Sequence, residues 1–460
     1  MKRVFALFRF ASACLLACAA GNAAEPSVPA PAPGGVTLTV EAENSILPAG
    51  NAQEAMVRIA ISAPAPARQP RLVKTVNLAV AFDCSGSMSG GKIVHARQAA
   101  QNALEQLGEN DFFSLVIYNH SARVLIPATR VTESAKRELA AVIGSIPAGG
   151  GTALFSGVSL AADELRKAGN DPRGVRRLIL LSDGQANVGP SSPAELGKLG
   201  SALVKEGITV STVGIGSDYN EDLMTSLAQN SDGNFYFVAR SSDLVPILAR
   251  ELGSALSVAA RRVKVRIDCP PGVRPRGILG CRCRIDGQSI ELDFNQIYAG
   301  HDKVLILQLD LPPQPDGSSK PLADVTLEYL TAEAEKAPVQ TRSVAVNFSA
   351  DSSASARSLN KAVSADVALQ QSAAIREEAI NQSDCGNILF ASEKLRQAQL
   401  LLERNAALTG SEEVRETAKR LADESDRLAQ AETAPATYNE TRKEIKGRSY
   451  QIRNSQPVRQ

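Results

Sequence analysis

"VNLAVAFDCSGSMSGG", residues 76–91, decides the fold. Its first seven residues are apolar except for Asn77, with no alternation of polar and apolar positions. A strand of that kind is buried on both faces, as in a parallel sheet covered by helices on each side. The run stops at Asp83, "CSGSMSGG" follows with hydroxyls and glycines, and "KIVHARQAAQNALEQL" then spaces its apolar residues as a helix does. An aspartate and two serines at such a turn add nothing to a core. In an open parallel sheet, sites form beyond the carboxyl ends of the strands, where the connections diverge.

The same texture runs on from there. "FFSLVIY" and "ARVLIP" precede the helical "SAKRELAAVIGSI", and "ALFSGVSLAADELRKA" precedes the strand "RRLILL". "PAELGKLGSALVKEG" leads to "TVSTVGIG", and "NEDLMTSLAQNSDG" leads to "NFYFVA". One α/β domain over residues 72–250, with a mostly parallel sheet, accounts for all of these. Two further polar turns share the context of Asp83. "GGGT" at 149–152 precedes a helix, and "LLSDG" ends the apolar run before Gly184.

The flanks read differently. "VTLTVEAE" and "AMVRIAIS", within residues 36–71, alternate as half-buried strands do, and so do "RRVKVRIDC", "SIELDF", "KVLILQLDL", "DVTLEYL" and "RSVAVNF" within 251–350. The early strands are too few to stand alone. They are expected to join the later ones in a β-sandwich, with the α/β domain inserted in it or flanked by it. Residues 351–460 form a helical C-terminal region. Leu395, Ala398 and Leu402 share one helix face, and Val414, Ala418, Leu421 and Leu428 share another, the pattern of a helical hairpin packed on the sandwich or on a partner.

In a parallel sheet Asp83, Ser85, Ser87, Thr152 and Asp183 converge on one edge. Two carboxylates and three hydroxyls, without His or Cys, suit a hard cation: Mg²⁺ by geometry, with Mn²⁺ or Ca²⁺ as alternatives. Neutral hydroxyl ligands leave the ion net positive, ready for a carboxylate from another protein. The order D-x-S-x-S at 83–87, Thr152 after a glycine run, and Asp183 in "LSDG" resembles the metal-ion-dependent adhesion site (MIDAS) of von Willebrand factor A (VWA) domains. The resemblance covers about residues 75–248. It implies a Rossmann-like fold with Ser85, Ser87 and Thr152 as direct ligands and Asp83 and Asp183 acting mainly through water. The flanking layout is similar, more loosely, to bacterial secreted relatives of the inter-alpha-trypsin inhibitor heavy chains and of calcium-activated chloride channel proteins. The competing reading is a metal-free domain whose Asp and Ser only cap helices. Cys84, between the key residues, is expected to point into the core.

Residues 1–24 have the layout of a cleavable export signal: "MKRVFALFR", an apolar stretch, then small residues before a cleavage point near Ala23 or Ala24. Cys18 in "LLAC" offers lipid attachment as an alternative. Residues 25–35, "EPSVPAPAPGG", read as a Pro-rich linker. The protein is expected to be periplasmic or secreted. No later stretch is long enough for a membrane span. Lys+Arg 50 against Asp+Glu 49 leaves no basic face for nucleic acid. Of the seven cysteines, Cys269 is placed to pair with Cys281 or Cys283 in an exported protein, and metal binding by "CRC" is the alternative. With Cys14 and Cys18 removed in the signal, five cysteines remain, Cys84 and Cys385 among them, so at least one thiol stays free or pairs between chains. His95, His120 and His301 are the only histidines, and neither a nucleophile elbow nor a phosphate loop is present. The expected function is therefore non-enzymatic: an exported adhesion module that binds a cation and, through it, a partner's acidic residue. The alternatives are an assembly or accessory factor of an envelope enzyme complex, and a metal-dependent hydrolase.

Overall fold

The computed structural model describes residues 35–63, 73, 75–168, 174–281, 283–331, 338–430 and 435–456. The export signal and all but the last residue of the Pro-rich linker lie outside the described residues.

The chain opens with β1 (Thr37–Ala42), β2 (Ile46–Pro48) and β3 (Gln53–Ala63), then enters an α/β layer. That layer runs β4 (Val76–Asp83), α1 (Gly91–Glu105), β5 (Phe112–Tyr118), β6 (Ala122–Arg130), α2 (Glu133–Gly144), α3 (Leu154–Lys167) and β7 (Val175–Ser182). It continues with α4 (Pro193–Lys205), β8 (Ile208–Ile215), α5 (Glu221–Asn230), β9 (Phe235–Val238) and α6 (Leu244–Leu256). The sheet order is β6-β5-β4-β7-β8-β9. All neighbours are parallel except β5 and β6, which form a hairpin at the edge.

All eight residues of β4 are buried, and so are all eight of β8, as unbroken apolar runs require. One face of the sheet packs Ile93, Ala96, Leu104, Ile143 and Leu248 from α1, α2 and α6. The other packs Leu154, Val158, Leu196, Leu203 and Leu223 from α3, α4 and α5. Helix starts follow local chemistry: Thr132 caps α2, and Ser192 with Glu195 forms a reciprocal cap on α4 around Pro193.

The sandwich follows with β10 (Val258–Asp268), β11 (Arg274–Ile278), β12 (Arg284–Asp286), β13 (Ser289–Tyr298), β14 (His301–Leu311), β15 (Ser319–Leu330) and β16 (Val339–Ser349). Its two sheets have the orders β1-β3-β14-β11 and β12-β13-β10-β15-β16-β2. The early strands are thus built into it: β3 lies antiparallel to β14, from Ala63 opposite His301 to Gln53 opposite Leu311. Val57, Ile59 and Ile61 meet Val265, Ile267 and Leu327 in the core between the sheets. The α/β layer is therefore an insertion between β3 and β10, and only Ser257 separates α6 from β10.

A buried cation ties the two parts together. Arg177 of β7 donates to Glu251 of α6 (2.8 Å) and to Ser211 (3.2 Å), and its other terminal nitrogen donates to Gln296 (2.6 Å) and Tyr298 (2.7 Å) of β13. Arg177 and Glu251 have no solvent exposure.

The C-terminal region is α7 (Ser352–Arg357), α8 (Lys361–Asp384), α9 (Ile388–Thr409), α10 (Glu412–Gln430) and α11 (Pro435–Arg453). The hairpin expected from the sequence is α9 and α10, and it is part of a four-helix array. Leu395, Ala398, Leu402, Val414, Ala418, Leu421 and Leu428 share one core with Ala379 and Ile380 of α8 and Ile445 of α11. α8 buries mostly alanine and serine, and α11 buries Thr441, Lys443, Ser449 and Tyr450, so neither shows a leucine-rich stripe. α11 docks on the α/β layer. Tyr450 donates to the Gly233 carbonyl (2.6 Å), Lys443 to the Tyr219 carbonyl (2.8 Å), and Arg442 pairs with Glu221 and Asp222. No helix among the described residues is long and apolar enough to cross a membrane.

The expected disulfide does not form. Cys269 is a buried free thiol at the end of β10, and burial pushes its pKa up to about 11. Nor do Cys281 and Cys283 assemble a metal site: no group of three or more His, Cys, Asp or Glu side chains gathers around a cation position among the described residues.

Candidate metal centre at the strand ends

Asp83 is the last residue of β4, and Asp183 directly follows β7, its parallel neighbour. Both carboxylates are fully buried. Oδ1 of Asp83 accepts the Ser85 backbone N–H (2.8 Å), and Oδ2 accepts the Ser182 hydroxyl (2.7 Å). Burial drives the Asp83 carboxyl up to about 6, while the bonds from Ser85 and Ser182 pull it down. A cation close by favours the ionised form. Oδ1 of Asp183 accepts the Ser87 hydroxyl (2.7 Å), and Oδ2 accepts the Lys92 ammonium (2.6 Å).

The hydroxyls converge. Ser85 Oγ and Ser87 Oγ lie 3.0 Å apart. A β-carbon placed on Gly184 would lie 3.2 Å from Ser87 Oγ, 3.3 Å from Thr152 Oγ1 and 3.9 Å from Ser85 Oγ. Three hydroxyl oxygens thus surround one small space above a residue that has no side chain. Ser85 and Thr152 are buried while Ser87 is exposed, so the cradle is open on one side.

The loops that carry these groups are tied to one another through their backbones. Gly86 N–H donates to the Gly150 carbonyl (3.0 Å) and Gly149 N–H to the Cys84 carbonyl (2.8 Å). Thr152 N–H donates to Asn187 Oδ1 (2.8 Å), and Asn187 N–H returns to the Thr152 carbonyl (3.2 Å). Gly149 and Gly150 have positive φ, which few other residues tolerate. Behind the site, the Tyr118 hydroxyl donates to the Leu181 carbonyl (2.7 Å), fixing β7 just before Asp183.

All five residues read from the sequence, Asp83, Ser85, Ser87, Thr152 and Asp183, meet here. Cys84 points inward, its Sγ 3.4 Å from the Tyr118 carbonyl. His95 pairs with Ser241 (Nδ1 to Oγ, 2.8 Å), and His120 sits in the β5–β6 turn beside Gly151. The sequence reading missed Ser182, Lys92, Asn187 and Gly184. Lys92 carried a signal: a cation in the first turn of a helix opposes the helix dipole and calls for an anion opposite it. The all-oxygen donor set and the cradle above Gly184 fit a hard divalent cation. Ser85, Ser87 and Thr152 are the groups able to hold one, with the two carboxylates behind them.

The family model for the von Willebrand factor type A domain matches residues 77–250. The uncharacterized protein YfbK of Escherichia coli (strain K12) is 29% identical over 271 residues, 57% of this chain and 46% of that protein. The uncharacterized protein sll0103 of Synechocystis sp. is 30% identical over 187 residues, 41% of this chain and 43% of that one. Inter-alpha-trypsin inhibitor heavy chain H2 of Sus scrofa is 31% identical over 165 residues, 34% of this chain and 17% of that one. The aligned stretches span less than half the length of each of these relatives. Among solved structures, a von Willebrand factor type A protein from Catenulispora acidiphila superposes with TM-score 0.70 at 19% identity, over 90% of this chain and 96% of that one. The ArnB paralog VWA2 from Sulfolobus acidocaldarius does so with TM-score 0.57 at 15% identity, over 90% and 99%. At those identities what is shared is the fold, and it extends beyond the α/β layer. Residues 77–250 are thus a von Willebrand factor type A domain, with its strand-end hydroxyls and carboxylates in place.

Proposed function

We propose that this protein is a non-enzymatic, exported interaction module. It holds Mg²⁺ through Ser85, Ser87 and Thr152, with Asp83 and Asp183 behind them, and engages an acidic residue of another protein through that ion. The observation that carries the reading is the cradle: three hydroxyls face one space while both carboxylates are occupied by hydrogen bonds. The direct donors are neutral hydroxyls, and they leave the ion a position for one anionic oxygen from outside. Export rests on the signal-like residues 1–24 and places the partner in the periplasm or outside the cell.

Isothermal titration of Mg²⁺ into the mature protein, wild type beside Asp83→Ala, tests the reading. Saturable binding in the wild type and none in a natively folded variant is the expected result. Equal binding in both would overturn it. An acidic partner captured in Mg²⁺ is expected to release in EDTA.

A further inference from the structure

Lys92 is not one of the five residues that define the site, yet its ammonium touches Asp183 directly. It lies in the first turn of α1, where the helix dipole is unfavourable to a cation. Its Nζ is 2.6 Å from Asp183 Oδ2; the aspartate is fully buried, and the lysine is 29% exposed. The ammonium also lies against Gly216 at the end of β8, where a β-carbon would come within 3.6 Å of it. The chain thus brings a fixed positive charge into contact with a carboxylate that stands behind the hydroxyl cradle.

Resting on the metal reading above, we infer that Lys92 is a built-in cation that sets the charge of the loaded site and thereby its choice of last ligand. Asp83 and Asp183 together balance a divalent ion. With them alone the loaded centre is neutral, and a partner carboxylate would make it negative. Lys92 raises the loaded centre by one unit, so the arriving carboxylate completes neutrality. The same charge opposes the metal. Lys92 would therefore weaken Mg²⁺ binding and strengthen binding of an anionic last ligand, two effects of opposite sign from one side chain.

The test is Mg²⁺ titration of wild type, Lys92→Met and Lys92→Arg, each with and without acetate as the carboxylate probe, with circular dichroism confirming the fold. Removing one unit charge a few ångströms from the ion is expected to tighten Mg²⁺ binding about tenfold in Lys92→Met. Acetate is expected to tighten Mg²⁺ binding in the wild type, by linkage, and to do so less in Lys92→Met. Lys92→Arg keeps the charge and is expected to behave as the wild type in both arms. Mg²⁺ binding in Lys92→Met that equals or falls below the wild type would overturn the inference and make Lys92 a structural brace. An acetate effect of equal size in Lys92→Met and wild type would overturn its second half. A wild type that binds no Mg²⁺ would instead sink the metal reading itself, and this inference with it.

Discussion

Gly184 has no side chain, and what a side chain would strike there shows what the space is for. An alanine methyl would sit 3.2 Å from Ser87 Oγ and 3.3 Å from Thr152 Oγ1, within the cradle itself. The backbone at Gly184 is not in the left-handed region, so the cost of Gly184→Ala is that of crowding the two hydroxyls, about 1–2 kcal/mol, and the variant is expected to fold. Its Mg²⁺ affinity is expected to fall by roughly tenfold or more, the scale of loss when groups that orient metal-holding side chains are displaced. Calorimetric titration beside thermal melting separates the two quantities. The cysteines give a second prediction. Cys269 is buried with its thiol pushed up to about 11, whereas Cys385 is exposed. Iodoacetamide at about pH 8 is expected to label Cys385 and spare Cys269, read by mass spectrometry of peptides, because the thiolate is the nucleophile. At this scale the five residues that meet at the strand ends were legible because each sits in a short polar segment that interrupts an apolar one. Ser182 was hidden inside its apolar run, and Gly184 contributes by what it lacks, which no residue type advertises.

The secondary-structure elements lock together at Arg177 of β7. Its guanidinium satisfies Glu251 of α6 and both Gln296 and Tyr298 of β13, wholly out of solvent. Arg177→Met leaves Glu251 buried with its charge partner removed. That variant is expected to lose about 3–5 kcal/mol in urea denaturation, whereas the double variant Arg177→Met/Glu251→Leu regains much of it. Equal losses in both would show that packing, not charge, holds the junction. The strands were readable from sequence because an unbroken apolar run has one physical meaning at that length. A salt bridge inside such a run is not readable: "RRLILL" offers two arginines, and only the sheet register decides that Arg177 turns inward. The helices show the same limit. α9 and α10 announced themselves by leucines at helical spacing. α8 and α11 bury alanine, serine, lysine and tyrosine, and their contacts depend on neighbours the local sequence does not name.

At the scale of the whole molecule, protons report on burial. Cys269 rises to about 11 and Tyr298 to about 12, and Tyr118, Tyr236 and Tyr450 stand well above the ordinary value of 10.0, in each case first by desolvation. The folded chain holds these protons more tightly than the unfolded chain. Their contribution to stability is therefore complete below the ordinary thiol value near 9.0 and declines as pH rises through 11 to 12. The tyrosinate absorbance of these four buried phenols, at about 295 nm, is expected to appear together with loss of circular dichroism, not ahead of it as exposed phenols near pKa 10 would titrate. The insertion of the α/β layer was legible by a simple economy, since two early strands cannot bury themselves. The docking of α11 on that layer was not, because it rests on Arg442, Lys443 and Tyr450 reaching groups far away in sequence. That same insertion imposes an order in time. The Leu38 N–H finds its acceptor on Gln340, 302 residues later, and β3 finds β14 only after the entire α/β layer has been made. A nascent chain can pair β3 with β1 at once, but it must carry the other edge of β3 open, with Ile59 and Ile61 uncovered by the second sheet, until β14 at His301–Leu311 has been made. Until then an unpaired strand edge and an apolar face are exposed together, the combination that favours pairing with other chains.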